Sequence, residues 1–126
     1  MIDVDAAAVA LARLDSALVA GVSDRIYGGG SPPVDYDPAS GGAVCLTSRG
    51  GPTRYDNLLS VSIQVKCYGK DAVDAWATYQ FTYNALHEKS NGTVTFSQSE
   101  GIGQALVEPG TGRDYVLAYF RMTMRP

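Results

Sequence analysis

The side chains able to do chemistry are few. One histidine, His87, stands between Leu86 and Glu88 near the end of a predicted helix. A general base needs an orienting partner and a cleft. His87 lies off the apolar stripe of its helix, which predicts a solvated ring. Two cysteines, Cys45 and Cys67, complete the nucleophile inventory. Cys67 falls on the inward register of a predicted strand, where a thiol is a small buried hydrophobe. One histidine and two cysteines make no zinc spacing. Two thiols suit a reducing compartment, and a disulfide between them would need close strand neighbours.

Glycine runs raise the question of phosphate binding. Gly28-Gly29-Gly30 and Gly41-Gly42 are followed by no Gly-Lys-Ser/Thr, so neither is a P-loop. Gly101-x-Gly103 precedes a strand and not a helix, the wrong setting for a dinucleotide fingerprint. Asp35 and Asp37 flank Tyr36 at a spacing compatible with a weak calcium site, without the EF-hand pattern. They read better as solvated loop charges or as partners for arginines of a neighbouring subunit. Asn91-Gly92-Thr93 matches a glycosylation acceptor, but a helix stop before a strand explains it as well. No cofactor, metal site or catalytic residue is expected.

Aromatic and arginine side chains are more informative. The chain has eight tyrosines, three phenylalanines and one tryptophan. Trp76, Tyr79 and Tyr83 share a helical stripe and are expected in the core. Tyr36 and Tyr55 lie in polar loops, and Arg49 and Arg54 border the second loop beside Asp56. Tyrosine and arginine are enriched at interface hot spots. Val34, Asp35, Tyr36, Asp37, Arg49, Arg54, Tyr55 and Asp56 therefore form the candidate contact set for a neighbouring subunit or partner protein.

The frame that must position these residues is a single domain, 1–126, on the length prior. With 45% hydrophobic and 18% charged residues the composition is globular, not disordered. A chain this long buries roughly two-thirds of its unfolded surface, so no metal or disulfide staple is required. The net charge of -3 argues against nucleic acid as a principal ligand. The acidic start, Met1-Ile2-Asp3-Val4-Asp5, is unlike a signal peptide, and no run approaches the roughly 18 apolar residues that span a bilayer.

Val4, Ala8, Leu11, Leu14, Leu18 and Val22 recur at steps of three or four, which predicts one amphipathic helix capped by Asp3 or Asp5 and ended by Gly21. A short extended piece, Arg25-Ile26-Tyr27, leads into a loop over 28–42 rich in glycine and proline. Ala43–Arg49 and Leu59–Tyr68 read as strands, the second by strict alternation of Leu59, Val61, Ile63, Val65 and Cys67 with polar neighbours. They can form a long hairpin around the polar loop 50–57, whose tip, 48–57, could reach about 16 Å. A second helix is predicted from about Asp71 to Lys89, with Ala72, Trp76, Tyr79, Tyr83 and Leu86 inward and Asn91-Gly92 as its stop. Strands follow at Thr93–Gln98, with Val94 and Phe96 inward, at Gln104–Glu108, and at Tyr115–Met124. The expected fold class is α+β: a mostly antiparallel sheet of four to five strands, two helices on one face, and long loops with a hairpin arm.

The amphipathic first helix, Arg25-Ile26-Tyr27, the Gly/Pro loop, the strand Val61-Ser62-Ile63-Gln64-Val65-Lys66-Cys67-Tyr68-Gly69 running directly into a helix, and its end at Tyr83-Asn84-Ala85-Leu86-His87 resemble the tail-terminator (tail-completion) proteins of long-tailed bacteriophages. The resemblance implies a non-enzymatic virion protein, made in the host cytoplasm and placed in the neck region of the tail. It implies a homo-oligomeric ring, a hexamer, at the head-proximal end of the tail tube. The ring would stop tube growth and present a surface to the head-completion or connector protein. The partners implied are further copies of this chain, the tail tube protein and the connector, with DNA only passing through the channel. A weakly acidic protein suits such a channel, since like charge prevents sticking. A head-completion or neck connector protein is the alternative within the same virion region. A small cytoplasmic α+β enzyme or ligand-binding domain is the distant one.

Overall fold

The computed structural model describes residues 3–49, 53–55 and 58–125. Three helices, α1 (Val4–Ala12), α2 (Ser16–Val22) and α3 (Ala72–Leu86), lie on one face of an open sheet. The strands are β1 (Ile26–Gly28), β2 (Ala43–Ser48), β3 (Thr53–Tyr55), β4 (Leu58–Gly69), β5 (Val94–Ser99), β6 (Gln104–Val107) and β7 (Asp114–Met124). A 3-10 turn, Pro38–Ser40, interrupts the first long loop. The sheet order is β1-β2-β4-β7-β5. β3 continues the line of β2 along β4, and β6 continues that of β5 along β7. All pairings are antiparallel except β1 with β2. The fold is α+β, with two more short strands than the alternation predicts.

The centre is the β4–β7 pair, joined over eleven consecutive positions from Leu59↔Met124 to Gly69↔Asp114. Val61, Ile63, Val65 and Cys67 of β4 and Val116, Ala118, Phe120, Met122 and Met124 of β7 are buried under the helices, as alternation requires. Each large apolar side chain buried there contributes roughly 1.5–3 kcal/mol.

The first helix is two. Asp15 takes an extended conformation, and its Oδ1 accepts the Leu18 N–H at 2.9 Å, starting α2. Asp3 caps α1 in the same way through the Ala6 N–H. An aspartate that can cap a new helix competes with continuation of the old one. The apolar spacing is kept across the break, but Leu14 falls in the turn and is exposed.

α3 also differs from its predicted face. It buries Ala75, Thr78, Tyr79, Thr82, Ala85 and Leu86, while Trp76 is 39% exposed and Ala72 lies outside. The hydroxyls of Thr78 and Thr82 donate to the carbonyls of Asp74 and Thr78, which satisfies them inside the core. Small side chains on this face let the helix approach the sheet closely at Gly42 and Gly69. The helix stops at Leu86, and the residue with positive φ is Glu88. Asn91 instead accepts the N–H groups of Thr93 and Val94, turning the chain into β5.

A register shift between Val94 and Phe96 corrects the inward placement of Phe96. The bulge sends Phe96 to the outer face and Ser97 inward beside Met122. The buried Ser97 hydroxyl has no hydrogen-bond partner among the described residues. Ser97→Ala should raise stability by about 1 kcal/mol, because an unpaired buried hydroxyl costs that much or more. A urea midpoint equal to the parent's would show that the hydroxyl is satisfied.

Candidate functional site

Among the described residues no α-helix covers the second face of the sheet. Part of it is covered by the loop after β1. Tyr36, predicted as an exposed contact residue, is only 8% exposed and packs with Ala43, Cys45 and Tyr68, flanked by Tyr27 and Tyr115. Its ring meets Tyr68 edge-on at 6.1 Å, and its hydroxyl donates to the Gly41 carbonyl at 2.7 Å. Burial raises its pKa to about 12, against the lowering effect of Arg25 and Arg113. The loop closes here because β4 and β7 place Tyr68 and Tyr115 side by side, 5.3 Å apart, on the uncovered face. Two large rings on a wet face demand a cover, and Tyr36 supplies it.

A clasp holds that cover. Arg113 donates to the carbonyl of Tyr36 at 3.0 Å, lies over the Tyr36 ring at 5.2 Å, and sits 3.9 Å from Glu108. Glu108 accepts from the Tyr68 hydroxyl and from Thr111, both at 2.7 Å. Burial would raise the Glu108 pKa, but those two hydroxyls and the charges of Arg113 and Lys66 hold it below the ordinary carboxylate range. Sequence reasoning missed Arg113, Glu108 and Tyr68. The available signal was Tyr68 and Tyr115 at outward positions of long strands.

The remaining candidate residues do not form one site. Val34 is 99% exposed at the loop tip, with Asp35 and Asp37 exposed beside it. Asp37 caps the 3-10 turn through the Ala39 N–H. Arg49 lies toward the other end of the sheet, its N–H on the Ser62 carbonyl and its guanidinium 4.4 Å over the Tyr119 ring. Ser62 and Tyr68 are six residues apart on β4, about 20 Å along the strand. The backbone of Arg54 and Tyr55 lies in β3. Their side chains, and Asp56, lie outside the described residues.

His87 is held structurally. Its ring stacks on Tyr83 at 4.7 Å, and Nδ1 accepts the Ser99 N–H at 3.0 Å, so it is half-buried and not a solvated ring. The cysteines are free and buried, and adjacent register positions send them to opposite faces of the sheet. Burial pushes both thiols up to about 12. No helix among the described residues is long and apolar enough to cross a membrane.

The two outer edges of the sheet differ. At β5 the outward groups are used: Ser97 O accepts from Glu88 N, and Ser99 N is held by His87. Beyond it β6 has only β7 as a neighbour. The Glu108 N–H donates to Arg113 O, which fixes the ladder so that the main-chain groups of Ala105 and Val107 point away from β7. No partner meets them among the described residues. Val107 is 61% exposed and Ile102, just before β6, is 91% exposed. At the opposite edge, α1 runs beside β1 and leaves an open groove of about 660 Å³.

These features define an open α+β sheet with one helical face, a tyrosine-lined loop clasp on the other, and exposed apolar side chains and an open groove at its margins. No protein-family model matches the chain, and no curated protein matches it. Among solved structures, the fold matches a chain described as "Virion of native gene transfer agent (GTA) particle", with a TM-score of 0.68 and 17% sequence identity over 98% of this chain and 95% of that one. At that identity the likeness is one of fold, and it runs nearly end to end in both chains.

Proposed function

We propose that this chain is a structural virion protein of a phage-like particle, a tail terminator. In this reading it forms a ring, a hexamer, at the head-proximal end of the tail tube. The ring stops tube growth and offers its free face to the connector. The observation that carries the reading is the nearly complete overlap in fold with a chain of a gene transfer agent virion. The surface chemistry agrees with it. The titratable groups in contact with one another are used to hold the fold, as at Glu108 and His87, while loop tips and sheet edges carry the exposed apolar groups. A closing ring needs heterologous contacts. Val34, Asp35, Asp37 and Arg49, with Arg54, Tyr55 and Asp56 of the hairpin arm, would contribute contacts to neighbouring copies, tube or connector.

The test is electron microscopy of lysates from a phage or particle-producing strain lacking this gene. Overlong or irregular tails without heads are expected. Normal-length free tails beside filled heads would move the protein to the head-joining step. Intact particles in normal number would overturn both.

A further inference from the structure

The free strand at one edge of the sheet fits the groove at the other. β6 is uncharged, Gln104-Ala105-Leu106-Val107, and the outward main-chain groups of Ala105 and Val107 meet nothing among the described residues. Such a strand is a template for another chain. The β5 and β1 edges are treated differently. The β5 edge is plugged by Glu88 and His87, and at β1 the Ile26 carbonyl is capped by Arg13 at 2.9 Å.

What β1 leaves open is glycine. Val44 N donates to Arg25 O and Gly29 N to Leu46 O, so Ile26 and Gly28 turn their main-chain groups outward. Gly28 is exposed at the end of β1, and the chain bends at Gly29, whose φ is 124°. Glycine at a strand edge permits close approach of another backbone. α1 runs antiparallel alongside, with Asp5 and Val9 at Gly28 and Arg13 at Ile26. The groove between them is lined on the helix side by Asp3, Asp5, Ala6, Val9, Ala10 and Arg13. α1 has nine residues and β6 has four, so each spans about 13 Å.

We infer that β6 of one copy adds to the β1 edge of the next, in the groove under α1, and that this pairing is the subunit junction of the ring. The inference rests on the tail-terminator reading, and it names the surface and the partner that reading requires. Three features agree on it. β1 and β6 run in opposite directions within one subunit, so a neighbour that continues the sheet brings them together antiparallel. The outward main-chain groups at both edges belong to residues on the helical face: Gly28 shares the face of Leu46, and Val107 that of Asp114 and Gly69. Pairing Gly28 with Val107 places Ile26, whose N–H already donates to Asp24 O, opposite Pro109. Proline has no N–H to give, and the Ile26 carbonyl already has Arg13. Trp76 flanks the junction. It stands edge-on to Tyr79 at 5.6 Å, and the Tyr79 ring lies against Gly103 at the start of β6. With exposed Ile102 it supplies apolar area beyond the short ladder at Gly28, toward the roughly 800 Å² per partner that a specific junction needs.

The test uses Gly28→Cys, where a Cβ meets Asp5 and Val9 at ordinary contact distance, with Val107→Cys, supplied to a strain lacking the chromosomal gene. Opposed residues of a hydrogen-bonded antiparallel pair lie about 5.5 Å apart, within disulfide reach. Cys45 and Cys67 are buried and stay out of the reaction. Oxidised particles should show a ladder from dimer upward on a non-reducing gel, absent from either single variant. Protein present in particles without a ladder would overturn the junction, as would dimers from Val107→Cys alone. Absence of the protein from purified particles would overturn the virion reading. Oxidation of the purified protein at high concentration would then decide the edge pairing, a ladder supporting it and a monomer overturning it. Val107→Pro removes one outward N–H and no internal one. It should keep the parent's circular dichroism and enter particles at least tenfold less, whereas unchanged incorporation would count against the pairing.

Discussion

Gly69→Ala should cost about 3 kcal/mol of stability and lower the thermal midpoint by roughly 10 °C. Gly69 ends β4 opposite Asp114, and α3 starts three residues later. A Cβ there would come within 2.6 Å of the Asp74 carbonyl carbon and 2.7 Å of the Asp74 Cβ, and closer still to the Ala75 nitrogen. These are backbone and near-backbone atoms of the first helical turn and cannot swing aside. Relief requires lifting the helix start, which loosens Ala75, Thr78 and Tyr79 from the sheet. Gly92→Ala is the control, because a Cβ there meets nothing within 4 Å. Thermal unfolding followed by circular dichroism reads both. If Gly69→Ala melts with Gly92→Ala and the parent, α3 does not pack as described.

Glu108→Gln should cost about 2 kcal/mol at pH 7 and flatten the acid limb of the stability curve. The carboxylate accepts two hydroxyl hydrogen bonds and sits by Arg113, and bonds to a charged acceptor are worth roughly 1.5–3 kcal/mol each when intact. Because its pKa is depressed in the folded state, its contribution is complete above the unfolded carboxylate value, about 4.3, and is lost as pH falls through the folded value. The amide variant lacks this titration and should lose less stability between pH 7 and pH 3. Burial, then Glu108, raises the Tyr68 pKa. That phenol stabilises the fold below the ordinary tyrosine value of about 10 and ceases to do so as pH rises above it. Urea midpoints at pH 3, 7 and 10.5 report all of this. An identical acid loss in parent and variant would remove Glu108 from the clasp's energetics.

The clasp also bears on function. Arg113 ties the tip of the first loop, through the carbonyls of Val34 and Tyr36, to the β6–β7 turn. It thereby sets where Val34, Asp35 and Asp37 stand on the exterior. In the proposed ring, the same turn follows the strand that enters the neighbour's groove. A loop contact and an edge contact would then be held in fixed relation by one partly buried ion pair.

Local pattern by itself determined the sheet's centre. Alternation along 59–68 and 115–124 assigned the core residues of β4 and β7 under the helices, because period-two burial depends only on the pleat, but it left Tyr68 on the wet face. It also set the fold class and the helical regions. The tertiary structure decided what depends on competition or on distant partners. Asp15 divided the first helix because capping outweighed continuation. Threonines took the buried face of α3 because their hydroxyls found carbonyls one turn back, which hydropathy does not register. A single extra residue in β5 exchanged Phe96 for Ser97. Tyr36 went inside because Tyr68 and Tyr115, 32 and 79 residues further along, had to be covered. The contrast between plugged and open sheet edges arose in the same way, from groups far apart in the chain meeting in space.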